Sequence, residues 1–572
     1  MKKILSYLIP FKWKMLIGFL IKVTGTMSEL FIPFLLSFIL ENVIISFNVK
    51  KIVFYGLIMV ICALIASLCN ITANRMAAGV TTGFSKAMRS ELFSKTLYLS
   101  AKDTDKFTIP SLEARITSDT YNVHNFIGMM QRMGVRAPFL LIGGIIITVL
   151  MDKALALVMI ATLPFIFVTV YSISKKGVPL YTDVQKSVDS MVRVAREDIQ
   201  GIRVIKALSK NAYENERYDV VNTELSRREK KAGIIMSIVN PIMTLFMNLG
   251  IVAVVGVAAF RVNNGLSSPT TVIAFMQYFT LISMAMMSLS RMFVMYTKCA
   301  ASANRIAEVI EKEDSFFVNE DTEEIQKEYH ISFKNVGFSY LGKKENLSDI
   351  SFNLKKGESL GIIGATGCGK STLIKLLLRF YESDSGEILI NGKNITSYTR
   401  EELTSMFGVV FQNDFIYADS VEENIRFGRE ISEYDVIRAA KIAQADEFIS
   451  AFPDKYGHKL SAKGTNISGG QRQRILIARA LVSAPQVLIL DDSSSALDYK
   501  TDANLRKALK ENLSETTVIT VAQRVSSVKD SNLILVLEDG RIIGKGTHEQ
   551  LLQQCSEYKE ISDSQMGGAF VE

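Results

Sequence analysis

Six apolar stretches in the first half of the chain constrain the fold more than any other feature. They are residues 15–40, 52–70, 135–150, 154–174, 234–260 and 272–296, and the third is the shortest. A helix of about 20 apolar residues spans the roughly 30 Å of hydrocarbon in a bilayer. We therefore expect an all-α, polytopic membrane domain of six transmembrane helices within residues 1–310. Six crossings return the chain to the side of the membrane on which it starts.

The connections between these stretches differ in length and charge. Residues 41–51, 151–153 and 261–269 form short connections, whereas residues 75–134 and 175–231 are long, polar and rich in lysine and arginine. Lys2, Lys3, Lys12 and Lys14 add positive charge at the N-terminus. Since basic residues favour the cytoplasmic side, we expect both termini and the long loops in the cytoplasm of a cell that holds the chain in its inner or plasma membrane, among membrane lipids.

The long loops carry apolar residues at helical spacing, over residues 84–99 and 187–207. This spacing predicts that the membrane helices continue into the cytoplasm, where their apolar faces need a burial partner. The alternative is a loose basic loop that only fixes topology.

Two ionisable residues in the first stretch are seven positions apart, Lys22 and Glu29, and hence lie on nearly the same helix face. A charge at the bilayer centre costs about 2.5–3.5 kcal/mol on insertion scales. Either this face lines a polar translocation cavity, or Lys22 extends toward a helix end and Glu29 bonds a neighbouring helix. The two interpretations stay open at this point.

Methionine is frequent in the last stretch. The residues are Met276, Met284, Met286, Met287, Met292 and Met295. Flexible thioethers adapt to apolar ligands of different shapes, although methionine is also an ordinary packing residue. The pattern favours small hydrophobic substrates.

Composition shows that the chain is not apolar throughout. A mean hydropathy of +0.21 accompanies 22% charged residues, so an ordinary charged domain must follow the membrane part. The net charge of +7 is spread along the chain and gives no reason to expect nucleic acid as a partner. The five cysteines lack metal or disulfide spacing, and a cleaved signal peptide is not expected.

After an acidic linker at residues 311–328, strand-like and helix-like segments alternate through residues 329–572, which predicts an α/β domain. An apolar run at 359–363 leads into the sequence GATGCGKS at 364–371, and a helical run follows. This is the P-loop pattern in the context that it requires. Its backbone amides surround phosphates, Lys370 neutralises their charge, and Ser371 ligates Mg²⁺. Chance occurrence is the alternative.

A second half of such a site follows at residues 487–491. The apolar run VLIL ends in Asp491, as in a buried parallel strand that presents a carboxylate to Mg²⁺.

Between these two motifs stands Ser468-Gly469-Gly470-Gln471, followed by a helical run. In this position the sequence resembles the signature of ABC ATPases, and the whole chain is similar to a half-transporter of the ABC exporter superfamily. The resemblance implies ATP and Mg²⁺ as cofactors. It assigns the metal to Ser371, Gln412 and Asp491, and it compares Tyr340 with the aromatic that stacks on adenine and residues 495–498 with the D-loop. The nucleotide-binding set is Tyr340, Gly364, Thr366, Gly367, Cys368, Gly369, Lys370, Ser371, Thr372, Ser468, Gly469, Gly470, Gln471 and Asp498.

The resemblance also implies how such a chain works. Two halves enclose two ATP molecules, each bound by the P-loop of one half and the signature of the other. Residues 201–206 look like the exporter's second cytoplasmic loop, and the coupling helices are expected near 111–119 and 211–217. Gln412 would link nucleotide to membrane domain.

Three positions depart from the family pattern. Asp492 stands where a catalytic glutamate is usual, Gln523 where a switch histidine is usual, and Ala462 where many exporters have glutamate. Loss of a positioned base lowers a rate by about 10²–10⁴. We therefore expect the site with Asp492, Gln523 and Gln412 at its catalytic positions to bind ATP and hydrolyse it slowly.

The signature departs only by Ile467 in place of leucine. It would complete the hydrolytic site of a different half-transporter, one with the Walker B glutamate and the switch histidine, in a multidrug-type exporter of hydrophobic or amphipathic compounds. The alternatives are a homodimer in which Asp492 works, a lipid or peptide translocator, an exporter-shaped importer, and a largely regulatory ATP-binding subunit.

Overall fold

The computed structural model describes residues 2–44, 48–313, 316–319, 328–340, 342, 345–493 and 497–566. The chain divides into two compact units. One comprises Met1–Tyr98 with Thr108–Lys312, and the other comprises Leu99–Phe107 with Glu313–Glu572. The short segment Leu99–Phe107 thus belongs to the second unit, although it lies within the predicted range 1–310 of the membrane domain.

Helices form the first unit. In chain order, including one that belongs to the second unit, they are α1 Lys2–Ser6, α2 Lys12–Phe38, α3 Val49–Tyr98, α4 Ala101–Phe107, α5 Ile109–Ala114, α6 Thr120–Met151, α7 Lys153–Gln200, α8 Ile202–Ala207, α9 Asn211–Ser237, α10 Val239–Asn263 and α11 Pro269–Ile310. Only α4 of these lies in the second unit. Helix α2 continues into a π-helical turn at Ile39–Val43, and another such turn at Arg115–Asp119 joins α5 to α6.

Among the described residues, five helical segments are long and apolar enough to cross a membrane, at Lys3–Val43, Val49–Tyr98, Ile109–Met151, Asn211–Asn263 and Pro269–Leu289. A shorter apolar segment, Lys153–Thr169, opens α7 and coincides with the fourth predicted stretch. Helix α3 has 50 residues, or about 75 Å at 1.5 Å per residue. The helices therefore continue well past the apolar stretches, as the spacing in the long loops predicts.

Packing within the first unit settles what Lys22 and Glu29 contact. The Arg136 guanidinium on α6 pairs with the Glu29 carboxylate, with Nε 3.1 Å from Oε2. Lys22 is 4% exposed, and its Nζ donates to Oδ1 of Asn74 on α3 over 3.0 Å. Glu29 thus bonds a neighbouring helix, as one interpretation expected. Lys22 does not extend toward a helix end, because Asn74 holds its ammonium among the helices.

The part of the second unit that the structure describes contains two sheets. Its strands are β1 Ile331–Phe338, β2 Leu347–Leu354, β3 Ser359–Gly364, β4 Ser385–Ile390, β5 Lys393–Asn394, β6 Phe407–Val410, β7 Val487–Asp491, β8 Thr517–Val521, β9 Leu533–Glu538 and β10 Arg541–Gly546. The antiparallel sheet has the order β2-β1-β4-β5, and the larger sheet has the order β10-β9-β3-β8-β7-β6, with only β10 antiparallel.

Within the described residues, ten further helices follow α11 in chain order. They are α12 Lys370–Leu377, α13 Arg400–Met406, α14 Val421–Arg426, α15 Glu433–Ile442, α16 Asp446–Ser450, α17 Gly469–Leu481, α18 Tyr499–Asn512, α19 Val525–Val528, α20 His548–Gln554 and α21 Ser556–Met566. Helix α12 packs Leu373, Ile374 and Leu377 into a core that both sheets share. Because β3, β8 and β7 are parallel neighbours, the loops that follow them open at one edge of the sheet.

Candidate nucleotide site

The loop after β3 has the shape that phosphate binding requires. Residues Leu360 to Ile363 are buried, and α12 starts at Lys370. Gly367 has φ +88° and Gly369 has φ +106°, a backbone region that side chains rarely adopt. A Cβ at Gly369 would also lie 2.7 Å from the Leu347 side chain. Glycine is therefore required here if the chain is to turn directly from strand to helix.

The Lys370 ammonium lies inside the curve of this loop. Its Nζ donates to the carbonyl oxygens of Gly364 and Ala365, each over 2.7 Å. Cys368 is 6% exposed, and its sulfur lies 3.8 Å from the same Nζ. The ammonium thus stands next to the amides of the loop, where phosphate charge would be neutralised.

Strand β7 brings two carboxylates to this loop. Asp491 is buried at the end of the strand and is hydrogen-bonded with the Ser371 side chain. Burial raises the pKa of Asp491, the neighbouring Asp492 carboxylate adds to the rise, and the Ser371 hydrogen bond opposes it. Asp492 has φ +52°, a left-handed conformation that aspartate tolerates better than most side chains, and its N–H donates to the Val521 carbonyl over 2.9 Å.

These groups line one cleft of about 170 Å³. Its lining is Thr366, Gly367, Gly369, Lys370, Ser371, Thr372, Gln412, Asp491, Asp492, Val521, Ala522 and Gln523. Gln412 reaches the cleft from the loop after β6, and its Nε2 is 3.4 Å from Oδ2 of Asp492. The structure therefore brings together the P-loop, both aspartates, Gln412 and Gln523, which lie up to 157 positions apart in sequence.

The three predicted metal ligands fit Mg²⁺. Ser371, Gln412 and Asp491 all line the cleft and offer a hydroxyl, an amide and a carboxylate. Such oxygen donors suit a hard cation that keeps several waters. The arrangement agrees with an ion held mainly by one or two protein oxygens together with phosphate.

Gln523 is held by a residue that the sequence did not point to. The Gln565 side chain on α21 donates to the Gln523 carbonyl over 2.8 Å and accepts from the Val525 N–H over 2.8 Å. The Gln523 side chain itself is exposed and lines the cleft. No local pattern marks Gln565, because its role depends on contacts with residues 40 and 42 positions away.

Tyr340 lies beside the P-loop helix. Its hydroxyl is 3.3 Å from the Thr372 hydroxyl, and 37% of the side chain is exposed. An exposed aromatic ring at this place offers a face on which a base can stack.

The signature residues form the start of α17. Ser468 is the N-cap: its hydroxyl accepts from the Gln471 N–H over 3.2 Å, and the Gln471 side chain accepts from the Ser468 N–H over 2.9 Å. This reciprocal capping box fixes Gly469 and Gly470 in the first turn. None of these four residues is among the described residues that line the cleft.

The predicted D-loop is only partly described. Ser495 and Ala496 lie outside the described residues. Asp498 caps α18, since its Oδ1 accepts from the Thr501 N–H over 2.9 Å. That hydrogen bond is the main cause of a lowered Asp498 pKa.

The two segments expected to couple the domains lie in helices of the first unit. Residues 111–119 lie in α5 and its π-helical continuation, within the first unit, whereas α4 at Ala101–Phe107 joins the second unit. Residues 211–217 form the first two turns of α9, and the short helix of that hairpin is α8 at Ile202–Ala207. The coupling role of residues 111–119 and 211–217 stays a prediction, and α4 is a short helix that the charged sequence AKDTDKF did not indicate.

Comparisons with known proteins agree with this architecture. Residues 15–286 match the family "ABC transporter transmembrane region", and residues 347–495 match the family "ABC transporter". The uncharacterized ABC transporter ATP-binding protein YfiB of Bacillus subtilis is 33% identical, with 99% of each chain covered. The uncharacterized ABC transporter ATP-binding protein Rv1273c of Mycobacterium tuberculosis is 30% identical, over 98% of this chain and 97% of that protein.

A solved structure shares the fold across both units. It is described as a bacterial Atm1-family ABC exporter with ATP bound, and it superposes with a TM-score of 0.83 at 22% identity, covering 98% of this chain and 99% of that chain. The resemblance to six-helix half-transporters, the P-loop, the signature and the relatives that match over nearly the whole chain all indicate the same family. The chain is a membrane protein of the ABC transporter family, a half-transporter in which one transmembrane region is fused to one ATPase domain that drives transport.

Proposed function

We propose that this chain is one half of a heterodimeric exporter, that it binds ATP at its own P-loop and hydrolyses it slowly, and that its signature completes the hydrolytic site of a different half. The observation that carries the proposal is the pair Asp492 and Gln523 in the same cleft. An amide is not a base, and the Asp492 carboxylate is one methylene shorter than the usual glutamate.

Binding of ATP rests on the remaining groups of the cleft. Lys370 is positioned among the P-loop carbonyls and neutralises phosphate charge, while the α12 N-terminus directs backbone amides toward it. Ser371, Gln412 and Asp491 would hold Mg²⁺, which supplies charge neutralisation of the β- and γ-phosphates. Tyr340 offers its exposed face to adenine.

The signature supports the second role. Gly469 and Gly470 begin a 13-residue helix whose amide dipoles favour an anion, and the capping box fixes their conformation. Two such halves are needed for a complete site. The asymmetry between an altered Walker side and an unaltered signature favours a partner that carries the glutamate and the histidine.

The proposed substrate and direction rest on the fold and on the methionines of α11. The fold resembles that of an exporter. Met276 and Met284 on α11 are 41% and 56% exposed, whereas Met286 and Met287 pack against Met243. Exposed, adaptable thioethers favour hydrophobic or amphipathic compounds moved outward across the cell membrane. The bias of Lys and Arg favours a cytoplasmic position for both termini and the ATPase domain.

A second function, a largely regulatory ATP-binding subunit, is favoured by the same two residues. In that case the partner supplies most substrate contacts as well as hydrolysis.

Purification separates these proposals. The chain alone is expected to bind ATP and show little vanadate-sensitive ATPase activity, and the copurified pair is expected to hydrolyse ATP and export a fluorescent amphiphile from cells. Strong, vanadate-trappable activity of the chain alone would overturn the heterodimer. Normal export from a pair in which exposed Met276 and Met284 are replaced by glutamate would instead favour the regulatory subunit.

A further inference from the structure

One buried tyrosine joins the proposed adenine-stacking residue to helix α4. Tyr381 is 8% exposed, and its ring meets the Tyr340 ring edge-on, with centroids 5.1 Å apart and an interplanar angle of 88°. Its hydroxyl donates to the Asp105 carboxylate on α4. A single side chain therefore contacts both the Tyr340 ring, which lies beside Thr372 of the P-loop helix, and the short helix α4.

The surroundings leave these rings little freedom. Lys375 Nζ lies 5.6 Å from the Tyr340 centroid and 5.9 Å from the Tyr381 centroid, so that one cation faces both rings. Phe338 packs against both rings, at 4.9 Å from Tyr340 and 5.6 Å from Tyr381. In a close-packed cluster a change in the tilt of one ring is transmitted to the next.

The hydroxyl end of Tyr381 is equally well defined. Burial and the Asp105 acceptor both raise the Tyr381 pKa, so the hydroxyl remains a donor at neutral pH. Ala101, at the start of α4, packs on the same core as Tyr381. Helix α4 is thus fixed to the ATPase unit at its first residue and at Asp105.

The chain connects α4 directly to two helices of the membrane unit. Helix α3 ends at Tyr98 and α5 begins at Ile109. A change in α4 therefore acts on the ends of both helices through the backbone. Hydrolysis is not required for this, which suits a site that binds ATP and cleaves it slowly.

We propose that Tyr381 is a positioning residue that transmits stacking of adenine on Tyr340 to helix α4 through its hydrogen bond to Asp105. This rests on the proposed function, because it requires ATP to bind at this cleft. The proposal separates the effect of the base from the effect of the phosphates. Inorganic triphosphate would contact only the P-loop, whereas a nucleotide would also place its base on Tyr340.

Hydrogen–deuterium exchange of the α4 amides tests this in the full-length chain with its partner in lipid nanodiscs. In the wild-type protein, Mg-ATP should slow exchange at Ala101–Phe107 about tenfold more than inorganic triphosphate, the factor expected of one hydrogen bond to a charged acceptor. Tyr381→Phe keeps the ring and removes the hydroxyl, and should reduce this difference to less than about twofold without changing ATP affinity.

Tyr398→Phe is the matched control. Tyr398 is buried in the same core, and its hydroxyl donates to the Ile390 carbonyl of β4 over 2.8 Å. This variant should keep the difference between ATP and triphosphate. Asp105→Asn, which retains an acceptor oxygen, should keep most of it, and Asp105→Ala should lose it.

Each outcome decides. The role of Tyr381 would be overturned if Tyr381→Phe kept the full difference in α4 exchange between Mg-ATP and inorganic triphosphate, or if Tyr398→Phe lost as much of that difference. The proposed function would still stand, provided that the wild-type chain binds ATP. A wild-type chain that binds no ATP would overturn the proposed function and this inference together.

Discussion

Gln565 holds Gln523 in place through the backbone, because its side-chain amide bonds both the Gln523 carbonyl and the Val525 N–H at 2.8 Å. The Arg506 guanidinium on α18 donates to the carbonyl of Ser526, the residue that follows Val525. The loop that carries the switch position is thus fixed by one helix that precedes it in sequence, α18, and one that follows it, α21. We therefore expect that the Gln523 side chain can be exchanged without rebuilding the loop.

Restoring the usual residues should therefore restore hydrolysis. We expect Asp492→Glu with Gln523→His to raise the ATPase rate of this site by about 10²-fold or more, because a positioned base and a switch imidazole are regained. The rate is measured in a transporter whose partner has its own catalytic glutamate replaced by glutamine, so that only this site contributes.

Asp539→Glu serves as the control for that pair. Asp539 also has a left-handed backbone, at φ +43°, and it lies outside the cleft lining. It should leave the rate unchanged. If the double variant gives no increase, the altered residues are not what limits this site.

The Gln565 bonds should matter most in the restored enzyme. In the Asp492→Glu, Gln523→His background we expect Gln565→Ala to remove about tenfold of the gained rate, since two backbone hydrogen bonds of the loop are lost. Gln553→Ala, an exposed glutamine of α20, is the control. An equal rate in both variants would show that the loop is held without Gln565.

The signature can be tested by separating its capping from its chemistry. Ser468→Ala removes a capping box and should lower the free energy of unfolding by about 1 kcal/mol. It should also lower the partner-site ATPase rate about tenfold, because the first turn of α17 would lose its fixed conformation. Unfolding by denaturant and steady-state ATPase of the pair measure the two effects.

Thr547→Ala provides the comparison. Thr547 and Gln550 form the same capping box at the start of α20. It should cost similar stability and leave hydrolysis unchanged. A comparable loss of activity in Thr547→Ala would mean that Ser468 acts only through stability.

In the membrane unit, Glu29→Gln should lower thermal stability by about 1 kcal/mol, because Arg136 loses its carboxylate partner while both side chains remain partly exposed. The exchange Glu29→Arg with Arg136→Glu should recover most of this loss. Thermal unfolding in nanodiscs gives the comparison, with the exposed Glu41→Gln as control. A transport defect without a stability loss would instead return Glu29 to a role in a translocation cavity.

How much was predictable depends on how local each signal is. Short contiguous patterns predict the P-loop, the strand before Asp491 and the capping box at Ser468. Each of these is a strand end or a helix start whose chemistry depends on neighbours in sequence. The placement of α4 could not be predicted from a short pattern, because Ala101 and Asp105 are positioned by a core and a tyrosine about 280 residues away. The same holds for Glu29 and Arg136, which are 107 positions apart.

The capping box of α17 has one more consequence. Ser468 and Gln471 satisfy each other's backbone amides, and the two positions between them are glycines without side chains. The amides of Gly469 and Gly470 are left out of this exchange, at the positive end of a helix. The helix start therefore caps itself with its outer pair of amides and leaves the inner pair available, so that the proposed recognition of an anion by this half would need no rearrangement of its own.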